Sequence, residues 1–233
     1  MRNLLKIGVF AATITLMGCG IIEKQEKIDA AQPWGATSSE RANVLRGIAD
    51  LFEKHAEEFF ALLTQEAGKT LPDCIGELRE AVDFLRYYAC QAEALSDAQA
   101  GVFSCISPWN FPLAIFTGQI AAALAAGNAV LAKPAENTSM IAYLSTQLMY
   151  EAGVPTAALH LIAGDGPSLG ARLCSSDKIT GVCFTGSTKT AQTINRLMAQ
   201  NLPPHIPLIA ETGGLNAMIV DSTALLEQAV QDV

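Results

Sequence analysis

Five places in this chain set polar, charged or glycine residues directly after a short apolar run. They are Pro108-Trp109-Asn110-Phe111, Lys133-Pro134-Ala135-Glu136, Gly164-Asp165-Gly166, Thr185-Gly186-Ser187 and Glu211-Thr212-Gly213-Gly214. Lys133 ends one such run, where an ammonium could bind a hydroxyl or a phosphate; a solvated lysine is the alternative reading. Glu136, three residues on, could accept two ribose hydroxyl hydrogen bonds and would repel a 2′-phosphate. Gly186-Ser187 precedes a helical pattern whose free N–H groups could receive a phosphate. The helix dipole adds only about 0.3–1 kcal/mol at an exposed end, so other donors are needed. Glu211 stands before two glycines that let a ligand approach, and its carboxylate is either a general base or a buried structural group. No G-x-G-x-x-G occurs, so that fingerprint gives no dinucleotide.

The elements between these stretches must bring them together. The spacing predicts a strand at 102–107, a helix at 112–126 ended by Gly127, a strand at 129–133 and a helix at 139–152 capped by Thr138. A strand at 159–162, a short helix at 169–174, a strand at 179–184, a helix at 190–199 and a strand at 206–210 follow. A further strand at 217–220 precedes a terminal helix. Such alternation implies a Rossmann-like, doubly wound α/β domain with a mostly parallel sheet. The strands are apolar throughout, as expected when both faces are covered. Ligands of open α/β sheets bind outside the carboxyl ends of the strands, where all five polar stretches fall. Ahead of the sheet, Thr37 and Glu40 have capping-box spacing, and Val44, Leu45, Ile48, Leu51, Phe52, Phe59 and Leu63 share a face up to Gly68. Asp73 can cap a second helix with Ile75, Leu78, Val82, Leu85, Ala89 and Ala92 inward. The pair predicts an antiparallel hairpin that packs on the sheet domain.

Composition narrows the function. Of 233 residues, 50% are hydrophobic and 16% charged, and the net charge is −8. The basic residues are scattered, which excludes a nucleic-acid surface but not a small anionic cofactor held by local donors. Six cysteines include no C-x-x-C pair, so no zinc or redox motif, and no metal site, is expected. Cys90, Cys105 and Cys183 lie in apolar segments and are read as buried thiols. Residues 1–20 hold Arg2, Lys6, an apolar run and Leu16-Met17-Gly18-Cys19. Two readings stand: a lipoprotein-like signal lipidated at Cys19, or an unrelated start. Residues 21–30 are read as a junction, and 31–233 as the domain proper.

The motifs Ser107-Pro108-Trp109-Asn110-Phe111-Pro112, Ala126-Gly127-Asn128 through Lys133-Pro134-Ala135-Glu136, Phe184-Thr185-Gly186-Ser187 and Ala210-Glu211-Thr212-Gly213-Gly214-Leu215-Asn216 occur in the order and spacing of one family. The chain resembles the NAD-binding part of an aldehyde dehydrogenase. Glu66-Ala67-Gly68-Lys69-Thr70, Glu80-Ala81-Val82-Asp83-Phe84 and Pro112-Leu113-Ala114-Ile115-Phe116 are similar to the glutamate-semialdehyde (pyrroline-carboxylate) dehydrogenase module of bifunctional proline utilization A proteins. The resemblance implies NAD as cofactor and oxidation of L-glutamate γ-semialdehyde to glutamate in proline catabolism. It implies that Asn110 stabilises the oxyanion and that Lys133 and Glu136 hold the adenine ribose. Ser107, Pro108 and Trp109 would line the cofactor groove, Gly166 and Gly170 would allow close approach, Gly186 and Ser187 would meet the pyrophosphate, and Glu211 would activate water.

The family's nucleophile is a cysteine a few dozen residues after the motif glutamate, and the stretch 212–233 contains none. Without a thiolate no covalent adduct forms with the aldehyde. These residues alone are therefore expected to be inactive and to expose apolar surface. A separately encoded catalytic remainder is one partner the resemblance allows, and full-length relatives are expected to be homo-oligomers. The cytoplasm, with its NAD pool, is the expected location. The alternative is a non-catalytic nucleotide-binding module anchored to a membrane through Cys19.

Overall fold

The computed structural model describes residues 21–95, 100–214 and 217–232; the lipoprotein-like reading of Cys19 lies outside them. Five parallel strands form one sheet: β1 (Val102–Ile106), β2 (Ala129–Lys133), β3 (Leu159–Leu161), β4 (Gly181–Thr185) and β5 (Leu208–Glu211). Their order is β3-β2-β1-β4-β5, with Cys105 level with Ala132 on one side and Cys183 on the other. This is the doubly wound α/β sheet that the alternating pattern predicts.

Alternation along the strands divides the core into two layers, because successive side chains point to opposite faces. Cys105, Val130, Ala132 and Cys183 join one apolar cluster. Val102, Ile106, Ala129, Leu131, Val182 and Phe184 join another. Over β1, β2 and β4 neither face is left to water, which is why these strands carry no polar alternation, whereas edge strand β5 exposes Ile209 and Ala210.

The first cluster holds the predicted hairpin, with one difference. Helices α2 (Ser38–Lys54) and α3 (Ala56–Ala67) replace the single expected helix, broken at His55, whose backbone leaves helical geometry at φ −100°, ψ 22°. The apolar face continues across the break through Phe52 and Phe59, whose rings meet at 4.9 Å, so periodicity alone hides it. Thr37 and Glu40 form the predicted capping box. Gly68 ends α3 at φ 66°, a left-handed conformation open to glycine. Helix α4 (Leu71–Ala94) is capped by Thr70, with Asp73 returning the bond from the third helical position rather than capping it. Its inward face is set by Cys74, Glu77, Leu78, Ala81 and Val82, while Ile75, expected inside, is 46% exposed. Cys90 is likewise exposed rather than buried.

Helix α5 (Ala114–Ala125) is buried nearly all round between α4 and the sheet. Its start lies two residues after the expected Pro112, and Glu77 accepts from the amides of Leu113, at the cap position, and Ala114, the first helical residue. Gly118 admits the Phe84 ring of α4: a Cβ there would lie 2.9 Å from it. Arg41 of α2 donates from Nε to Ala125 O at the far end (3.0 Å) and from its guanidinium to Ala36 O. Helix α6 (Ser139–Glu151) follows β2. Thr138 occupies its cap position but makes no capping bond. Glu66, in the last turn of α3, does so instead, accepting from Met140 N at 3.0 Å and Ile141 N at 2.9 Å.

The second cluster is covered by α1 (Ile21–Ala30) and α7 (Thr188–Asn201) together with the turns at 166–173. The stretch 21–30, read as a junction, is thus a helix. Its Ile28 is buried against the sheet, and Lys27 donates to Leu161 O. A π-helical turn at Gly166–Gly170 and a single α turn at Ala171–Leu173 stand where a short helix was expected. No strand forms at 217–220. Met218, Ile219 and Val220 are exposed, as are Leu225 and Leu226 at the start of α8 (Leu226–Asp232).

Candidate functional site

The carboxyl ends of the strands open into a groove of about 1060 Å³. All the sequence-predicted site residues line it: Ser107, Pro108, Trp109, Asn110, Lys133, Glu136, Gly166, Gly170, Gly186, Ser187 and Glu211. They come from four strand ends and the 166–170 turn, so it is the parallel sheet that gathers stretches far apart in sequence.

Lys133 is the last residue of β2, and its side chain is only 4% exposed. Its ammonium donates to Pro134 O at 3.1 Å and lies 3.4 Å from Glu136 Oε1. An ammonium has three donors, so this geometry leaves one for a ligand. The Glu136 carboxyl sits at the groove rim. Its partial burial would raise its pKa, but hydrogen bonds from its own amide and that of Gly166, with the Lys133 charge, hold it below the usual range. A Cβ on Gly166 would meet only Glu136 Oε1 at 3.7 Å, and one on Gly170 nothing within 4 Å. Side chains there would stand in the groove, not against protein.

Across the groove, Ser187 caps α7, its Oγ accepting from Thr190 N at 3.2 Å. The hydroxyl is thus engaged by the helix, and it is Thr188 and Lys189, whose amides need no partner within the helix, that border open space. Gly186 packs under them, and a Cβ there would fall 2.6 Å from the Phe184 ring. Ser107 donates its backbone N–H to Lys133 O, while its buried Oγ has no protein partner among the described residues. Gln119 of α5 steadies the β4 end through Thr185 Oγ1 at 3.1 Å. Asn110 and Trp109 are exposed on the loop after β1. Glu211 ends edge strand β5 and is exposed at the groove.

Sequence reasoning missed part of the wall. Thr190, Thr193, Ile194 and Leu197 of α7 line the groove, and their i, i+3, i+4, i+7 spacing was a readable signal. Among the described residues no cysteine lines it. Cys105 and Cys183 are buried between the sheet and α5, and burial pushes the Cys174 thiol up to about 12. Among the described residues no group of three or more His, Cys, Asp or Glu could hold a metal ion. Nor is any helix among them long and apolar enough to cross a membrane.

A model of the aldehyde dehydrogenase family matches residues 22–233. The chain belongs to the aldehyde dehydrogenase family. The match takes in α1 and so begins before the boundary expected at residue 31. The chain is similar to the bifunctional protein PutA of Salmonella typhimurium, with 52% identity over 217 residues, covering 90% of this chain and 16% of that protein. It is 37% identical over 225 residues to the 1-pyrroline-5-carboxylate dehydrogenase of Geobacillus thermodenitrificans, covering 88% of this chain and 44% of that one. A solved variant of Bradyrhizobium japonicum proline utilization A superposes with a TM-score of 0.85 at 47% identity, over 90% of this chain and 24% of that one. The predicted likeness to proline utilization A is borne out, and this aldehyde dehydrogenase chain spans less than half the length of each of these proteins.

Proposed function

We propose that the chain is the cofactor-binding part of an NAD-dependent dehydrogenase that oxidises L-glutamate γ-semialdehyde to glutamate. The observation that carries this reading is the meeting of all the predicted site residues in one groove at the carboxyl edge of the sheet. The likeness to a 1-pyrroline-5-carboxylate dehydrogenase supports the substrate, since glutamate semialdehyde is the hydrolysed, open form of that pyrroline.

The donors fit an adenine dinucleotide. Lys133 and the ionised Glu136 suit a ribose diol, and the carboxylate disfavours a 2′-phosphate. The amides at the head of α7, with Lys189 beside them, suit a pyrophosphate. The Ser107 Oγ, without a partner among the described residues, offers a further polar contact in the same wall. When bound, NAD supplies the acceptor for the hydride that leaves the aldehyde carbon. The Asn110 amide donates to the oxygen of that carbon as it gains negative charge. Glu211 takes a proton from the water that releases the acid. Among the described residues no cysteine lines the groove, so these residues by themselves are not expected to turn over aldehyde. An NAD-dependent reading also favours the cytoplasm as the location.

Calorimetric titration of NAD into the purified chain tests the reading. Saturable binding, weakened in Lys133→Ala and in Glu136→Ala, is the expected result. A folded sample that binds no NAD would overturn it.

A further inference from the structure

The loop that carries Trp109, Asn110 and Phe111 joins β1 to α5 with neither helical nor strand geometry, and Phe111 O accepts from Ile115 N of α5 at 3.3 Å. A second hold comes from outside the groove. Glu77 is a carboxylate on the inward face of α4 and is 2% exposed. Its Oε2 accepts from Leu113 N at 3.0 Å and Ala114 N at 3.1 Å, the residues directly after the loop. Its Oε1 pairs with Lys69 Nζ at 3.1 Å. That same ammonium stands 4.4 Å from the centre of the Phe111 ring. Lys69 comes from the α3–α4 turn and its side chain is only 13% exposed, so its charge is spent on these two contacts. A buried carboxylate is costly unless it is both paired and hydrogen-bonded; here Oε2 takes both amide hydrogen bonds, and Oε1 has the Lys69 ion pair alone.

We propose that Lys69 and Glu77 are positioning residues for the Asn110 loop. Glu77 fixes the loop's far end by holding the first amides of α5. Lys69 fixes its middle by clamping Phe111, one residue from Asn110. Neither side chain lines the groove, so neither touches a ligand there. The helical hairpin thereby acts on the site from outside, through one ion pair and one ring. The functional weight of this clamp rests on the reading of Asn110 given above, although its mechanics do not.

Trp109 gives a local reporter, because it is 56% exposed whereas Trp34, the other tryptophan, is buried. The full chain is compared with Lys69→Met, Lys69→Arg and Glu77→Gln by peptide-resolved hydrogen exchange and by Trp109 emission and quenching. Lys69→Met and Glu77→Gln are expected to speed exchange across 108–114 by about ten- to a hundredfold, the range for loss of a charge-assisted contact. They are expected to make Trp109 more quenchable, with exchange in the sheet unchanged. Lys69→Arg, which keeps the cation over the ring, is expected to restore both signals. Unchanged exchange in 108–114 would overturn the proposal. So would a rise spread evenly over α4, α5 and the sheet, or an arginine variant that behaves like the methionine one. If Glu77→Gln fails to fold, the Lys69 pair of variants decides. NAD titration of the unaltered chain runs alongside. An absence of binding there defeats the reading of the groove, while loop exchange still judges the clamp.

Discussion

Glu66 offers a test in which magnitude and pH dependence come from the same geometry. Its carboxylate accepts from Met140 N and Ile141 N and so replaces the capping side chain that Thr138 does not supply. Glu66→Ala leaves both amides of the first turn of α6 without an acceptor, at a cost of about 2–3 kcal/mol. Glu66→Gln keeps one carbonyl oxygen in place and should cost about 1 kcal/mol at most. Burial raises the Glu66 pKa above the ordinary 4.5, and the two amide hydrogen bonds only partly offset it. The folded state therefore holds this proton more tightly than the unfolded chain. The stability this contributes is full below the ordinary value and is lost as pH rises through the raised one. Glutamine cannot ionise, so the deficit of Glu66→Gln against the unaltered chain should narrow between pH 4.5 and neutrality. Glu77, whose pKa is also raised by burial, contributes with the same sign in both proteins and cancels in the difference. Urea unfolding at the two pH values, with equal slopes, measures all three quantities. An alanine variant within about 0.5 kcal/mol of the parent would refute the reasoning, because it would mean the two amides do not depend on Glu66. A glutamine deficit that widens with pH would refute the linkage.

Three further outcomes follow. Lys133→Met should weaken NAD binding by about ten- to a hundredfold, since a charged hydrogen bond contributes about 1.5–3 kcal/mol, and an unchanged Kd by calorimetry would remove Lys133 from the site. Gly118→Ala should cost about 1–3 kcal/mol in urea unfolding, because its Cβ would fall 2.9 Å from the Phe84 ring; a neutral result would mean the ring yields without strain. Arg86→Ala breaks exposed pairs with Asp50 and Glu53 and should change stability by less than about 1 kcal/mol, with still less effect at high salt. A larger loss would show that these pairs act as a network.

The sheet was legible because each strand is a short apolar run closed by polar residues. The site was legible because parallel strands deliver those closing residues to one edge. Contacts between elements distant in sequence left weaker traces. Glu66 caps a helix more than seventy residues away, and nothing near Ser139 announces it. Glu77 interrupts an apolar face, a signal that an inward carboxylate needs partners, yet the partners themselves are set by tertiary structure. The break at His55 escaped because the apolar face runs through it. The segment 217–220 has strand-like composition but finds no neighbour among the described residues, and composition without a partner does not make a strand.

The strand order also bears on how the chain is made. On a ribosome, β1, β2 and β3 emerge first and can pair along one side of β1 alone. The other side of β1 waits for β4, which is reached only after β3 and the 166–173 turns. Until then the strand that ends as the centre of the sheet is its rim, with bare amides and carbonyls open to any neighbouring chain. A pause or a protease cut between residues 161 and 181 would therefore hold the molecule in its most adhesive form. The same interruption after residue 185 would find β1 already enclosed.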